Sequence, residues 1–509
     1  MGNKFYITTA IPYVNAPPHM GHALEFVQAD IISRYHAIKG EDSFLTTGTD
    51  ENSLKSLQSA EKQGINPQQL CDNNSKLFKD FADAIGLRYS SFMRSSDHEK
   101  HWPGADKMWE LCNASGDIYK KAYTGLYCVG CEAFYTESEL VNGLCPEHMV
   151  PPEKVTEENY FFRLSKYEAE LKSLIESNKL EIIPEKRKNE VLSFIAAGLE
   201  DFSISRSIGR SKGWGIRVPG DDSQTIYVWF DALTVYLTSV GFGINKAKFQ
   251  KYWPANVHVI GKGVVRFHAV YWPAMLLSAG LDLPSKIFVH GYVTSNGQKM
   301  SKSLGNVVDP LTMINKYGRD AVRYYLARNI PTFEDGDFSE QDLVQVINSE
   351  MVGNISNFIY RVSTFIYSNF GGNVASHELT PEDKKVVEEV NKHITIFIDN
   401  MDKFRINESL SEIAYISSLG NKYFQDSEPW NTIKNNKTRC ETTLFISANI
   451  CKVLGILLQP YVVDVSKRIL QIFKLQEALI SEAKVTYPGS IAINSPSMPY
   501  KRIEDVVNN

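Results

Sequence analysis

Two stretches far apart in the chain carry residue types that could grip a polyphosphate. The first is Pro12-Tyr13-Val14-Asn15-Ala16-Pro17-Pro18-His19-Met20-Gly21-His22. It follows an apolar, β-branched run from Phe5 to Ile11 that suits a buried strand. From Ala23 the spacing turns helical, with Leu24, Val27, Ile31, Tyr35 and Ile38 on one face. Two imidazoles therefore sit where a strand hands over to a helix, beside N-terminal N–H groups that attract anions. Gly21 removes the side chain between them, so a bulky anion can reach the backbone. The second stretch is Gly297-Gln298-Lys299-Met300-Ser301-Lys302-Ser303-Leu304-Gly305-Asn306. Lys299 and Lys302 bracket small hydroxyls in a glycine-flanked loop, which can place two ammonium charges on a departing polyphosphate. Taken singly, the first stretch reads equally as an ordinary helix start, and the second as a solvated loop.

A third pattern points to a metal. Cys128-x2-Cys131 is followed, after 13 residues, by Cys145-x2-His148. Three thiolates and an imidazole at this spacing saturate a tetrahedral Zn²⁺, which makes the site structural. Gly130 and Gly143 allow the tight ligand turns. Reduced thiols brought together by chance are the competing reading.

These groups need a frame. Up to about residue 115, strands alternate with helices. Ser43–Thr47 reads as a second strand ending at Asp50-Glu51, and a helix from Ser53 to Gln63 stops at Gly64. Another helix opens at Pro67, carries Leu70, Leu77, Phe81 and Ile85 on one side, and stops at Gly86. Such alternation predicts an α/β, doubly wound parallel sheet with ligands at the carboxyl ends of its strands. Alternation is lost between 117 and 210, where Tyr123–Phe134 reads as strand–turn–strand. It returns with strands predicted at Ile226–Trp229, Val257–Ile260 and Ile287–His290; a helix from about Val264 should kink at Pro273. Beyond 320 the pattern is helical. Val387, Val390, Ile394, Phe397, Met401 and Phe404 form the stripe of a bundle helix.

Composition bounds the class. With 509 residues, 43% hydrophobic and 22% charged, the chain matches a multidomain soluble protein. The most apolar window, Leu444–Val463, is interrupted by Asn449, Lys452 and Gln459, so no membrane partner is expected. Seven cysteines, four of them scattered singly, suit a reducing compartment, and the cytoplasm is the expected location. A net charge of −5 argues against a polybasic binder but leaves room for a local basic face. Lys434, Lys437 and Arg439 form the obvious basic cluster of the helical region, a run that solvation alone could explain.

The paired histidine and lysine signatures resemble those of class I aminoacyl-tRNA synthetases, and within that class the methionyl-tRNA synthetases. Asp50-Glu51, Cys128-x2-Cys131, Glu158–Phe162, Phe202–Arg206, Tyr227–Leu233, Arg266–His268 and Glu428–Trp430 carry the likeness over nearly the whole chain. It implies a Rossmann-type catalytic domain split by a zinc-binding insertion and followed by an all-α helical-bundle anticodon-binding domain. The halves are expected at 1–115 and 211–320, the insertion at 116–210, a stem-contact linker at 321–350 and the bundle at 351–509.

The resemblance also implies partners and roles. ATP with Mg²⁺ would meet His19, Gly21, His22, Lys299 and Lys302. L-Methionine would enter a pocket of Ala10, Ile11, Tyr13, Trp229, Leu233, Tyr236, Phe267 and His268, with its ammonium against Asp50. Zn²⁺ would bind Cys128, Cys131, Cys145 and His148. The tRNA(Met) anticodon would meet Asn357, Arg361 and Trp430; stacking faces and amide donors suit unpaired bases. A monomer is expected, since no appended tRNA-binding module follows the helical region. Synthetases for leucine, isoleucine or valine are disfavoured by the short insertion, and a non-catalytic relative by two intact phosphate signatures. Three departures stand out: Asn52-Ser53 where many members have His-Gly, Gly263 where many carry an acid, and Met20 for the more usual isoleucine.

Overall fold

The computed structural model describes residues 3–130, 133–147, 149–295, 297–300 and 306–504. Strand β1 (Lys4–Thr9) is buried on both faces, with Phe5 and Ile7 in one core and Tyr6 in the other. It pairs in parallel with β2 (Asp42–Thr49), and β2 with β3 (Ser91–Arg94). The chain then leaves the sheet. An antiparallel ladder joins β4 (Ile118–Cys128) to β6 (Glu153–Phe162), with β5 (Ala133–Tyr135) on the outer edge of β4. It returns through β7 (Glu181–Ile183), β8 (Val257–Gly261) and β9 (Lys286–His290), all parallel. The order is β3-β2-β1-β8-β9-β7, so strand order reverses between β1 and β8. A crevice opens beyond the carboxyl ends of the strands at such a reversal.

Three helices near the start follow their sequence signals. Helix α1 (Met20–Ile38) buries Leu24, Val27, Ile31 and Tyr35, as the spacing predicts. Helix α2 (Leu54–Gln63) is capped by the Ser53 hydroxyl and stops at Gly64, whose φ of 66° suits glycine. Helix α3 (Pro67–Ile85) buries Phe78 rather than the expected Leu77, which is 39% exposed. The inward row runs 70, 78, 81, 85, and position 77 falls outside it.

A second correction concerns Ile226–Trp229. The strand ends at Ile226, and helix α4 (Val228–Thr238) begins two residues later. The apolar run is short enough to suit either element. Before helix α5 (Trp272–Ser278), Phe267–Tyr271 form a π-helical turn that ends two residues ahead of Pro273, the kind of irregularity at which helices bend.

The helical region packs onto α1. Arg323 of α6 (Arg319–Asn329) is fully buried and pairs with Asp30 of α1 at 2.7 Å. It also donates to the carbonyls of Tyr461 (2.8 Å), Pro460 (3.0 Å) and Ile85 (3.3 Å). At the C-terminal end of α1, the Tyr35 hydroxyl and the Lys39 ammonium each lie 2.8 Å from Asp402. The bundle proper holds α7 (Asn357–Phe370), α8 (Pro381–Asp402), α9 (Ile406–Asp426), α10 (Lys437–Leu457) and α11 (Val463–Ile472). All six residues of the predicted 387–404 stripe are buried. Helix α10 is long and apolar enough to cross a membrane, yet 89% of its apolar window is buried within the fold.

Candidate active site

The loops after β1 and β2 are zipped together. Asp50 N–H donates to the Pro12 carbonyl at 2.9 Å, and Val14 N–H to the Asp50 carbonyl at 3.3 Å. This places the histidine loop and the Asp50 carboxylate at the mouth of the crevice.

His19 is the N-cap of α1, and the two histidines cap the helix reciprocally. Gly21 N–H donates to His19 Nδ1, and His19 N–H to His22 Nδ1, both at 3.1 Å. The pattern is that of a Ser/Thr–Glu capping box with imidazoles in both roles. With each Nδ1 accepting, the ring proton of a neutral histidine lies on Nε2, so both rings offer a donor. The rings stack with centroids 3.9 Å apart. Burial, reinforced by His19 and His290, holds His22 well below the usual histidine range. The anion would therefore meet a neutral His22 imidazole, the His19 ring beside it and helix N–H groups. A Cβ on Gly21 would lie 2.8 Å from His19 Cε1, so a side chain there displaces the ring.

A cavity of about 400 Å³ runs from this loop across the crevice. One end is walled by Ala10, Ile11, Tyr13, Asp50, Trp229, Leu233, Tyr236 and His268. Eight residues expected from sequence thus converge on one space. Phe267 is the exception: it stacks on Trp229 at 3.8 Å and 4°, backing the wall. Tyr13 meets Trp229 edge-on at 6.2 Å. His268 Nδ1–H donates to the Val264 carbonyl (3.0 Å), so its Nε2 accepts from the Tyr236 hydroxyl (2.8 Å). Burial lowers His268 to about 4, leaving it neutral. The result is an aromatic slot with a buried carboxylate at one side, fitted to an apolar side chain bearing an ammonium.

The other end carries residues the sequence reading passed over: Glu25, His290 and Tyr292, with Gly261 and Gly263 as floor. His290 Nε2 lies 3.0 Å from Glu25 Oε2, and its Nδ1–H donates to the Gly291 carbonyl at 2.7 Å. A signal was present, since Glu25 follows His22 by one helical turn and His290 ends a predicted strand. Lys299 lies in a short strand, Gln298–Lys299, paired with Val293–Ser295 just beyond Tyr292. The base of the lysine loop thus adjoins this end of the cavity. The Lys299 side chain and all of Lys302 lie outside the described residues.

The departures find structural partners. Asn52 faces away from the cavity; its amide donates to Asp231 Oδ2 (2.6 Å) and the Ser95 carbonyl (3.0 Å). Asp231 also bonds His101, in a buried network behind α4, the helix that carries Trp229. Met20 is wholly buried in the core, where a volume-conserving exchange is tolerated.

In the insertion, Cys128 and Cys145 are both buried, and Gly143 turns with φ of 76° just before Cys145. Cys131 and His148 lie outside the described residues. Two buried thiols flanking tight turns on a small, largely polar ladder fit a soft metal ion.

In the bundle, Asn357 is exposed at the start of α7. The Arg361 guanidinium lies 5.2 Å over the Phe424 ring and donates to Gln425 Oε1 at 3.1 Å. Phe424 meets Trp430 edge-on at 6.2 Å, so Arg361 and Trp430 share one aromatic partner. Arg439 is committed elsewhere, to a half-buried pair with the buried Asp383, which removes it from the basic cluster.

Comparison with known proteins agrees with this layout. A family model described as tRNA synthetases class I (M) matches residues 5–154 and 148–363, and the anticodon binding domain of methionyl tRNA ligase matches 374–506. The methionine–tRNA ligase of Brucella suis is 40% identical over 474 residues, covering 92% of this chain and 91% of that protein. The Thermotoga maritima enzyme is 39% identical over 511 residues, covering 98% and 80%. The structure of Mycobacterium tuberculosis methionyl-tRNA synthetase in complex with methionyl-adenylate superposes with a TM-score of 0.93 at 36% identity. That match covers 98% of this chain and 100% of the other.

Proposed function

The chain belongs to the methionyl-tRNA synthetases of class I, and on that premise we propose how its own residues share the work. The reaction attaches L-methionine to tRNA(Met) through methionyl-adenylate, releasing pyrophosphate and then AMP. The methionine carboxylate attacks the α-phosphorus of ATP and pyrophosphate leaves. The 3′-terminal hydroxyl of the tRNA then attacks the adenylate carbonyl and AMP leaves. Neither step needs a protein nucleophile, so catalysis rests on positioning and charge stabilisation.

Asp50 holds the α-ammonium, and the Tyr13–Trp229–Tyr236–His268 wall encloses the thioether. His19 and His22 donate through Nε2 to the triphosphate at the N-terminus of α1. Lys299 and Lys302 close over the leaving pyrophosphate. ATP arrives with Mg²⁺, which shares the phosphate charge. Asn357, Arg361 and Trp430 read the anticodon. Cys128, Cys131, Cys145 and His148 would hold one Zn²⁺, which supplies a rigid tip to the insertion. Metal analysis of protein purified without chelator should return one zinc per chain. The same reading makes the protein a cytoplasmic monomer, its mass to be checked by light scattering.

The observation that carries the reading is one cavity joining an ammonium-binding aromatic slot to a histidine-capped helix N-terminus. Methionine-dependent ATP–pyrophosphate exchange tests it. Exchange should appear with methionine and not with leucine, isoleucine or valine; its absence with methionine would sink the assignment.

A further inference from the structure

The phosphates are committed to the histidine cap and the amino acid to the Asp50 end, so the nucleoside is left the ends of β8 and β9. That end is bounded by Gly261-Lys262-Gly263 and by His290-Gly291-Tyr292. A Cβ built on Gly263 would lie 2.3 Å from Tyr292 Oη but 3.5 Å from Cζ and 3.9 Å from Cε1. Only the phenol oxygen excludes a side chain at 263. The ring is clamped where it stands. Lys262 Nζ lies 4.5 Å from its centroid and 2.8 Å from Asp335 Oδ2. Asp335 Oδ1 accepts the Tyr292 N–H at 2.9 Å, and Gly336 N–H donates to the Tyr292 carbonyl at 3.0 Å. Burial pushes the phenol up to about 12, so at neutral pH it keeps its proton.

We propose that Tyr292 is a nucleotide-specificity residue: its hydroxyl fills the space that Gly263 leaves and hydrogen-bonds a sugar hydroxyl of the bound adenosine. The assignment rests on the cavity being the adenylate site. It makes Gly263 and Tyr292 one unit, in which the absent side chain and the phenol hydroxyl are complementary. It also gives the departure at 263 a physical cause.

The test is pyrophosphate exchange with ATP, 2′-deoxyATP and 3′-deoxyATP, for the wild type and Tyr292→Phe. The wild type supports or removes the underlying reading by itself, since it must exchange with methionine. In Tyr292→Phe the ATP KM should rise roughly 3–10-fold, the worth of one neutral hydrogen bond, with the methionine KM unchanged. With the deoxy analogue that lacks the bonded hydroxyl, the two proteins should coincide. An ATP KM within twofold of wild type overturns the proposal. So does a penalty that persists with both analogues, or an equal rise in the methionine KM. Gly263→Ala supplies a second readout. It should raise the ATP KM when Tyr292 is present and have little further effect in the Tyr292→Phe background, where Cζ at 3.5 Å leaves room. An equal penalty in both backgrounds refutes the pairing.

Discussion

Replacing Arg323 with methionine should cost about 3–5 kcal/mol of stability, the usual loss when one partner of a buried ion pair is removed. The structure shows why the loss belongs in that range. The side chain has no solvent exposure and spends its donors on Asp30 and on three carbonyls from two other segments. Asp30 would not be wholly stranded, because Arg34 Nε (2.6 Å) and the Arg88 N–H (2.8 Å) remain. The carbonyls of Ile85, Pro460 and Tyr461 would each lose a donor, at about 1 kcal/mol apiece. The assay is urea unfolding followed by tryptophan fluorescence, for Arg323→Met, Asp30→Asn and the double variant. The double variant should be more stable than the summed single effects predict, by at least about 1 kcal/mol. Acid titration adds a second arm. Burial alone would raise the Asp30 carboxyl, but Arg34 and Arg323 hold it below its ordinary value. Its stabilisation is therefore present above the unfolded carboxylate pKa and is lost as pH falls through the lower, folded value. Without Arg323 the acid transition should move to higher pH. Strict additivity, or a loss for Arg323→Met below about 1 kcal/mol, would refute this account of how the bundle is fastened to α1.

Gly21→Ala should push the His19 ring from its cap, since the new Cβ would lie 2.8 Å from Cε1, and lower the exchange kcat at least about tenfold; an unchanged kcat would count against His19 as a phosphate donor. Burial depresses His22 and His258, and it lowers His268 to about 4, so all three contribute stability above the unfolded histidine pKa that is lost as pH falls through their lower folded values. Stability should thus decline below about pH 6.5, and His268→Gln should flatten that slope; an identical slope would show that His268 titrates normally. Trp430→Ala should weaken charging of a CAU-anticodon transcript by about 1–3 kcal/mol, roughly 5- to 150-fold, and reduce discrimination against an altered anticodon. Undiminished discrimination would remove Trp430 from the reading site.

Legibility followed physical range. The place of His19 and His22 at a helix start could be read because strand, loop and helix are contiguous; their reciprocal capping shows only in the structure. Eight of the nine slot residues named through resemblance line one cavity, though Trp229 reads from sequence as part of a strand. Residues 226–229 are apolar in succession, and every position of α4 from Phe230 to Thr238 is buried, so no one-sided helical period marks the element. Glu25 and His290 were passed over because each is an unremarkable polar residue until α1 and the carboxyl end of β9 are brought together. Their pairing spans 265 positions, and the local hints to each residue do not point to the other. Leu77 for Phe78 was a one-residue phase error on an otherwise correct helix. The departures at 52 and 263 could not be judged from sequence at all. Asn52 is answered by Asp231 and Gly263 by Tyr292, each partner remote in the chain.

The same contrast explains the place of α1. Its first turn is a chemical device, with two imidazoles capping the helix and each other. Its remaining length is an anchor, fixed at Asp30 by Arg323 and at Tyr35 and Lys39 by Asp402. A helix of 19 residues spans about 28 Å, so one rigid element reaches from the phosphate site to the helical bundle. Moving the bundle without moving the histidines would require breaking a buried ion pair or bending α1, and α1 contains no proline and no glycine after Gly21. The bundle's position and that of the two capping histidines are therefore set together. A substitution at Asp402, far from the cavity, should register first in the KM for ATP.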